Sequence, residues 1–504
     1  MLDRLRNTLK HSIIYGLGKL GTKIIGLVLL PLYTEYLTTE QYGMLSLLEA
    51  TSQIMVGMLG FRLSAAMMRW IATEKDQQKN KTVVFTTYLS TFFFSLVICL
   101  ILIPFTGFLS ELYFDSGDFS RYFLILIISV AIDLPNQVTF DLIRMAEKSW
   151  LFGLIIVSKL AVVLGLNIYF IVHLHLGVEG IILGMLSGNL VMLLMSLPFI
   201  LKRVNYRYEF STFRELFGFG FPLIFATMSV MILSFADRFI IKKMLDLSEV
   251  GIYTVGYKIA GVINLVVLQA FSLGFIPTAY KMFDKPEAKR FFSKILTYLT
   301  YVLMLAVLVI SFFSREVIEV FTAKPEYWPA YKIVPIIAFT FLVKGWQSVV
   351  VMGMHRAKKT FLVAATVMVA AILNIGLNFA LIPFLGIYGS ALASVIATFI
   401  GVYLSYRYSQ KYFPINYEFV KIIKILITGI GLLIVYYYIN ELTLVLRLFL
   451  KVILLMSFPF LLYLIGFYDK VELERIGSFW RSWRNPGRWK ENLRRVVKSK
   501  DDDE

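Results

Sequence analysis

The sequence predicts an all-helical protein that crosses a membrane many times. Of its 504 residues, 58% are hydrophobic and 16% are charged, whereas soluble domains carry about 25% charged residues. Apolar stretches of 18 residues or more recur fourteen times, each long enough to span a bilayer as a helix. The long apolar runs do not alternate with period two, which argues against a membrane β-barrel. We therefore expect about fourteen transmembrane helices.

The fourteen stretches are separated by short connections. They lie near residues 12–33, 43–71, 83–110, 121–143, 150–172, 178–201, 214–237, 250–280, 291–313, 330–354, 361–384, 387–408, 420–439 and 443–467. The first stretch follows a charged start, but it is as long as a spanning helix and lacks a small-residue cleavage site. We expect it to be retained as the first span.

Basic residues concentrate in every second connection, as is typical of cytoplasmic loops. The basic connections lie near residues 4–10, 69–81, 144–148, 202–214, 281–294, 356–359 and 407–424. The other connections are poor in Lys and Arg, except that Arg238, Lys242 and Lys243 follow the seventh span. Both termini are therefore predicted to be cytoplasmic. The net charge of +17 is attributed to topology, and no nucleic-acid partner is expected.

Three short motifs recur at nearly one spacing, which indicates an internal duplication. The pairs are Leu37–Gly43 with Leu245–Gly251 at a shift of 208, Leu176–Gly180 with Leu385–Gly389 at 209, and Gly165–Asn167 with Gly376–Asn378 at 211. Each half then holds six helices and begins on the same side of the membrane. The predicted divisions are a first lobe, 1–205, a second lobe, 206–415, two further helices, 416–468, and a basic cytoplasmic tail, 469–504.

Ionisable residues inside the predicted spans are the candidates for function, because charge in a membrane is costly and rare. They are Lys19, Lys23, Glu49, Arg62, Asp133, Asp141, Lys159, Lys258 and Lys344. Cations outnumber carboxylates and come from both halves. The five substrate-binding candidates, which would line an anion-attracting chamber between the halves, are Lys19, Lys23, Arg62, Lys258 and Lys344.

Internal pairing is the alternative explanation for these charges. Glu49 could neutralise Lys23, and Asp133 could neutralise Lys159. The residues assigned to pairing or to energy coupling are therefore Glu49, Asp133, Asp141 and Lys159. The seventh span carries no lysine between residues 217 and 235, so the anion site is predicted to lie closer to the first half.

The sequence contains no constellation of residues typical of an enzyme. The longest predicted outer connection, near 314–329, is too short for a catalytic domain, and no Walker-type motif is present. Cys99 is the single cysteine, and His173 and His175 lack a third metal ligand. We predict neither enzymatic activity nor a metal or other cofactor.

The tail combines tryptophans with arginines, a composition that suits a membrane surface. Its aromatic and basic residues are Trp480, Arg481, Trp483, Arg484, Arg488, Trp489, Arg494 and Arg495. A solvated tail fits the same residues equally well, because Pro486 and Gly487 interrupt any helix.

The chain resembles the polysaccharide transporters of the multidrug/oligosaccharidyl-lipid/polysaccharide (MOP) exporter superfamily. The resemblance covers about residues 5–470. It is carried by the lysine-containing first helix, by Leu37–Gly43, by Gly60-Phe-Arg62, and by the Gly-Leu-Asn and Gly-x-x-Gly motifs of the repeat.

This resemblance implies an O-antigen-type flippase that moves an undecaprenyl-diphosphate-linked oligosaccharide across the bacterial cytoplasmic membrane. It implies alternating access through a cationic cavity formed by Lys19, Lys23 and Arg62, with Lys258 and Lys344 added by their depth in the second lobe. Membrane lipids, and a glycan polymerase with other assembly proteins, are the expected partners of a functional monomer. A drug or cation antiporter of the same superfamily and a non-transporting scaffold are the alternatives.

Overall fold

The structure is a computed structural model that describes residue 26 and residues 28–474. Every long element in this part of the chain is a helix. The α-helices are α1 (Leu30–Tyr36), α2 (Thr39–Leu59), α3 (Leu63–Thr73), α4 (Gln77–Leu102), α5 (Thr106–Phe114), α6 (Ser120–Met145), α7 (Ser149–Ile168), α8 (Gly177–Leu201), α9 (Phe210–Met244), α10 (Leu247–Ala260), α11 (Gln269–Met282), α12 (Ala288–Phe312), α13 (Ser314–Phe321), α14 (Val334–Val350), α15 (Met352–Arg356), α16 (Thr360–Leu385), α17 (Ile387–Tyr412), α18 (Phe419–Ile439) and α19 (Leu444–Leu464). The all-helical fold class is confirmed.

Twelve helical stretches among the described residues are long and apolar enough to cross a membrane. The bent pair α2 and α3, with 44° between its members, adds a thirteenth when it is counted as one span. Together these thirteen correspond to the second to fourteenth predicted spans. Most of the first predicted span, 12–33, lies outside the described residues. The side of the membrane on which the N-terminus lies is therefore also outside them. The count of fourteen and the cytoplasmic termini therefore remain predictions.

The outer surface of the helix bundle is apolar. Large side chains such as Trp150, Phe361 and Phe384 are more than four-fifths exposed. Contiguous exposed apolar surface of this kind marks contact with a membrane. Polar side chains that link helices are instead buried between them. Asn167 is an example, since its side-chain amide donates to the Tyr33 hydroxyl at 2.7 Å.

The second span is broken between α2 and α3. Phe61 and Arg62 at the break adopt positive φ angles of 45° and 52°, a backbone conformation that is unfavourable for residues other than glycine. Gly220 of α9 lies directly against the carbonyl of Phe61, and a Cβ at this position would overlap it. The lack of a side chain at Gly220 therefore lets the break in one half pack onto a helix of the other half.

Helices α2 and α10 start at matching positions of the predicted repeat. The Thr38 side chain caps α2 in a capping box with Gln41, and the Asp246 side chain caps α10 by accepting from the Glu249 amide. Thr38 and Asp246 are 208 residues apart, which is one of the shifts read from the sequence motifs. Each helix is thus begun by its own local capping residue.

These two helices pack against each other along a nearly symmetric contact, which we call the seam. Its residues are Thr39, Gly43 and Ser46 of α2 with Ser248, Gly251 and Thr254 of α10. The hydroxyls of Thr39 and Ser248 are hydrogen bonded, and those of Ser46 and Thr254 lie 2.7 Å apart. The two pairs are separated by 209 and 208 residues in the chain. The seam follows the spacing of the repeat, while the proposed domain boundaries remain a prediction.

A short segment from the second half covers the end of the seam. The Tyr327 hydroxyl and the Lys324 ammonium both donate to the Leu37 carbonyl, at 3.2 and 2.9 Å. The Tyr327 ring also meets the Tyr42 ring edge-on at 5.8 Å between centroids. By the predicted orientation, this closed end is the outer end of the molecule.

Candidate functional site

A cavity of about 720 Å³ lies beside the seam, between the two halves of the chain. From the first half it is lined by α2, α6, α7 and α8, and from the second half by α9, α10 and α14. Ser46 and Thr254, the last pair of the seam, belong to its lining. The cavity thus begins where the seam ends and occupies the middle of the spans.

The cavity lining is rich in charge for a membrane protein. Its ionisable residues, among those that the structure describes, are Glu49, Asp133, Lys159, Arg238, Lys258 and Lys344. Four of these six are cations. Five of the six, all except Arg238, are candidates from the sequence. They are spread from residue 49 to residue 344 along the chain, and the fold brings them to one cavity.

Lys258 and Glu49 form an ion pair across the cavity end of the seam. The Lys258 ammonium lies 3.7 Å from the Glu49 carboxylate and 5.1 Å from the centre of the Tyr42 ring. The carboxylate of Glu49, in the first half of the chain, is therefore paired with a lysine of the second half. The alternative partner considered from the sequence, Lys23, lies outside the described residues, as does Lys19.

Lys344 of α14 has the least compensated charge in the cavity. Its ammonium lies 5.3 Å from the centre of the Phe341 ring. Within residues 28–474 it has neither a hydrogen bond nor an ion pair. An ammonium at this depth is costly unless water or an anion solvates it. Lys344 is thus the described cation best suited to receive an anionic ligand.

Lys159 and Asp133 do not form the pair that the sequence suggested as an alternative. The Lys159 ammonium donates to Asn189 Oδ1 at 2.7 Å, and its aliphatic stem lies against Gly188. The Asp133 carboxylate instead accepts from the Gln137 amide at 3.4 Å. Both residues line the cavity. In the described structure, their hydrogen-bond partners are therefore amides of other residues and not each other.

Arg238 is a cavity residue that the sequence analysis missed. It was assigned to an outer connection, but α9 continues to Met244, and Arg238 is only 5% exposed. Its guanidinium lies 3.3 Å from the Asp237 carboxylate, which also accepts from the Tyr253 hydroxyl at 2.6 Å. Arg238 is therefore not a basic residue of an outer connection, as its position after the seventh predicted span suggested. It belongs to a buried network of charges inside the helix bundle.

Two sequence candidates lie elsewhere. Arg62 sits at the break of the second span and lines a separate small cavity of about 30 Å³ with Thr91 and Gln137. Asp141 is bound to Arg144 in the following turn of α6. Neither of them belongs to the lining of the central cavity.

The described cations of the cavity lie mainly in the second half of the chain. Arg238, Lys258 and Lys344 come from α9, α10 and α14, and Lys159 alone comes from the first half. The predicted bias of the anion site toward the first half depends on Lys19 and Lys23. It remains a prediction.

The comparisons with known proteins identify a family. The family described as polysaccharide biosynthesis protein matches residues 8–283 of this chain. A curated relative, the "Probable low-salt glycan biosynthesis flippase Agl15" of Haloferax volcanii, is 23% identical over 310 residues, which cover 61% of this chain and 64% of that protein. The matched part of the chain spans 64% to 67% of the length of its curated relatives.

Solved structures show the same fold. Lipid II flippase MurJ, in an inward closed conformation, aligns with a TM-score of 0.72 at 15% identity, over 90% of this chain and 99% of that one. An inward-facing multidrug resistance MATE family transporter of the MOP superfamily aligns with a TM-score of 0.65 at 14% identity, over 78% of this chain and 94% of the transporter. The chain therefore belongs to the polysaccharide biosynthesis protein family, and its fold is that of solved MOP superfamily transporters.

Proposed function

We propose that this protein is a flippase for an undecaprenyl-diphosphate-linked oligosaccharide in the bacterial cytoplasmic membrane. The observation that carries the proposal is the mid-span cavity, in which four described cations face two carboxylates. A diphosphate cannot enter hydrocarbon without compensation of its charge. Fixed ammonium and guanidinium groups at that depth would supply this compensation while the lipid tail remains in the bilayer.

The two-half construction supports a mechanism of alternating access. Residues of both halves line the cavity, and the seam closes it at the predicted outer end. A head group that enters from the cytoplasmic side would bind Lys344 and Lys258, and opening of the seam would release it to the outer leaflet. Such rocking of two halves around one site is the general behaviour of transporters built from repeats.

The family and its named relatives support the same function. A relative is named as a glycan biosynthesis flippase, and a structural neighbour is a lipid II flippase. We infer that the substrate here is likewise a lipid-linked glycan and that the protein does no covalent chemistry. The glycan polymerase and other assembly proteins that use the product would act on the outer side, with the flippase working as a monomer.

Replacement of Lys344 tests the proposal in cells. In a source strain that lacks the chromosomal gene, the Lys344→Gln variant at native expression should lower surface polysaccharide at least tenfold, and Lys344→Arg should retain most of it. Lys285→Gln, which removes an exposed lysine outside the cavity, is the matched control. Normal polysaccharide with Lys344→Gln would argue for a scaffold. Export of cationic dyes that is lost with Asp133→Asn would argue for an antiporter.

A further inference from the structure

The first-half side of the cavity carries a group of polar side chains unlike those opposite. This group, which we call the polar wall, consists of Ser129 and Asp133 of α6, Lys159 of α7 and Asn189 of α8. All four residues line the cavity. Ser129 and Asp133 are one helical turn apart and so share a face of α6. The opposite side presents Arg238, Lys258 and Lys344, of which Lys258 is paired with Glu49 at 3.7 Å.

Hydrogen bonds hold Asn189 in a fixed position at the centre of this wall. Its amide nitrogen donates to the Ser129 hydroxyl at 3.0 Å, and its amide oxygen accepts from the Lys159 ammonium at 2.7 Å. The side chain of Asn136, which is fully buried, donates to the Asn189 backbone carbonyl at 2.9 Å. Three helices are thereby joined through one residue, and the polar wall is preorganised.

Asp133 is the residue of the wall with spare binding capacity. Its carboxylate offers about four acceptor positions, and the Gln137 amide at 3.4 Å is its one hydrogen-bond donor in the described part of the chain. A half-buried aspartate without a cation is destabilising unless other donors solvate it. Because it faces the cavity, these donors can come from a ligand.

We propose that the polar wall is the subsite for the first sugars of the lipid-linked glycan, recognised through their hydroxyl groups. The inference rests on the proposed flippase function and adds to it a division of the cavity into two sides. The carboxylate of Asp133 accepts from neighbouring hydroxyls of a sugar ring, and the remaining N–H groups of Lys159 donate to sugar oxygens. The negative charge of Asp133 repels a diphosphate, which therefore binds the opposite side at Lys344. The Lys344 ammonium forms no ion pair within the described residues, whereas Lys258 is already paired with Glu49.

The size and the lining of the cavity fit this division. Its volume of about 720 Å³ is within the range of about 300 to 1,000 Å³ that is usual for small-molecule sites. The aromatic rings of Tyr257 and Phe341, on the second-half side, also line it.

Binding of two lipids to the full-length purified protein tests the subsite. The probes are undecaprenyl diphosphate and the undecaprenyl-diphosphate-linked oligosaccharide that is isolated from a source strain lacking this protein. The wild type should bind the glycosylated lipid at least tenfold more tightly than undecaprenyl diphosphate. Asp133→Asn should reduce this difference at least fivefold without weakening the binding of undecaprenyl diphosphate, since it removes a charge that repels the diphosphate. Asn189→Ala, which removes the central side chain of the wall, should act in the same direction.

The matched control is Asp141→Asn on the same helix, since Asp141 is bound to Arg144 and lies outside the cavity lining. This variant should keep the full preference for the glycosylated lipid. If Asp133→Asn and Asn189→Ala fold and keep that preference, the subsite assignment is wrong while the flippase proposal stands. If the wild type binds neither lipid, the proposed function and the subsite are both overturned.

Discussion

Lys451 shows how single charges are accommodated inside this membrane protein. Its side chain is fully buried in α19, where the ammonium contacts both Glu316 oxygens at 2.7 and 2.9 Å and the Asn440 side-chain oxygen at 3.1 Å. The Arg447 guanidinium lies 2.7 Å from the same Glu316 carboxylate. The carboxylate of Glu316 on α13 therefore pairs with two cations of α19.

Glu316→Gln should therefore destabilise the protein strongly, because it removes the carboxylate that pairs with the fully buried Lys451 and leaves Arg447 with only Glu319, at 3.8 Å. Breaking a buried ion pair by removing one partner costs about 3 to 5 kcal/mol. Thermal unfolding in detergent should show a clear loss of Tm. Glu326→Gln, at an exposed position of the same outer segment, should leave the Tm within error. Equal melting of the two variants would contradict the assigned role of Glu316.

The sequence located some of the charges inside the helix bundle and missed others. Lys258, Lys344 and Lys159 lie inside predicted apolar stretches, where a charge is conspicuous. Arg238 was missed because it lies one residue beyond the predicted seventh span, where a charge looks like a loop charge, and Lys451 was missed although it lies eight residues inside the last predicted span, as far in as Lys258 lies in its own. Which carboxylate each cation meets depends on helix packing, and local sequence does not encode it.

The seam is the element that organises the two halves. A Cβ on Gly43 would overlap the Leu247 carbonyl, and a Cβ on Gly251 would overlap the Thr39 carbonyl. Leu247 and Thr39 are themselves 208 residues apart, so the two close approaches are equivalent under the repeat. The sequence motifs located this pair of helices, but their direct contact needed the structure. Small residues at such crossings are what allow helices in membranes to pack closely.

Gly43→Ala and Gly251→Ala should each weaken the seam by a similar amount. The added methyl group meets backbone, which cannot rotate away, so we expect a loss of about 1 to 3 kcal/mol or more from overpacking. Thermal unfolding of the purified variants measures it. Gly376→Ala is the matched control, because nothing lies within 4 Å of a Cβ there. A loss at only one of the two seam positions would contradict their equivalence.

The segment after the last span is held by charges that respond to pH. Hydrogen bonds from Lys421, and next from Lys294, hold the pKa of Asp469 below its ordinary value. Because the pKa in the folded state is lowered, this contact stabilises the segment above the unfolded pKa. The stabilisation is lost as the pH falls through the folded value.

Hydrogen exchange of residues 466–474 should therefore be slow at pH 7 and should accelerate, after correction for intrinsic rates, below about pH 4. Asp469→Asn should exchange faster at pH 7 and lose part of this pH dependence, because Glu472 also pairs with Lys421 and Lys294 and remains titratable. Slow exchange in the variant at pH 7 would show that other contacts hold the segment.

At the scale of the whole molecule, the structure is a helix bundle of two halves with a charged cavity between them that is closed at one end. The all-helical fold and the thirteen spans of the described residues followed from hydropathy, because span length is set by the bilayer, and the spacing of the seam contacts followed from three short motifs. The division of the cavity into a cationic side and a polar wall did not follow from them. It depends on contacts such as that of Lys159 with Asn189, which join separate helices.

Transfer of the substrate between leaflets tests the central claim most directly. The purified protein is reconstituted into proteoliposomes with the undecaprenyl-diphosphate-linked oligosaccharide from a source strain that lacks it, and accessibility of the glycan to an external lectin is followed. The wild type and Lys285→Gln should equilibrate the lipid between leaflets, and Lys344→Gln should slow this at least tenfold. Equal rates in empty liposomes and in wild-type proteoliposomes would contradict the account.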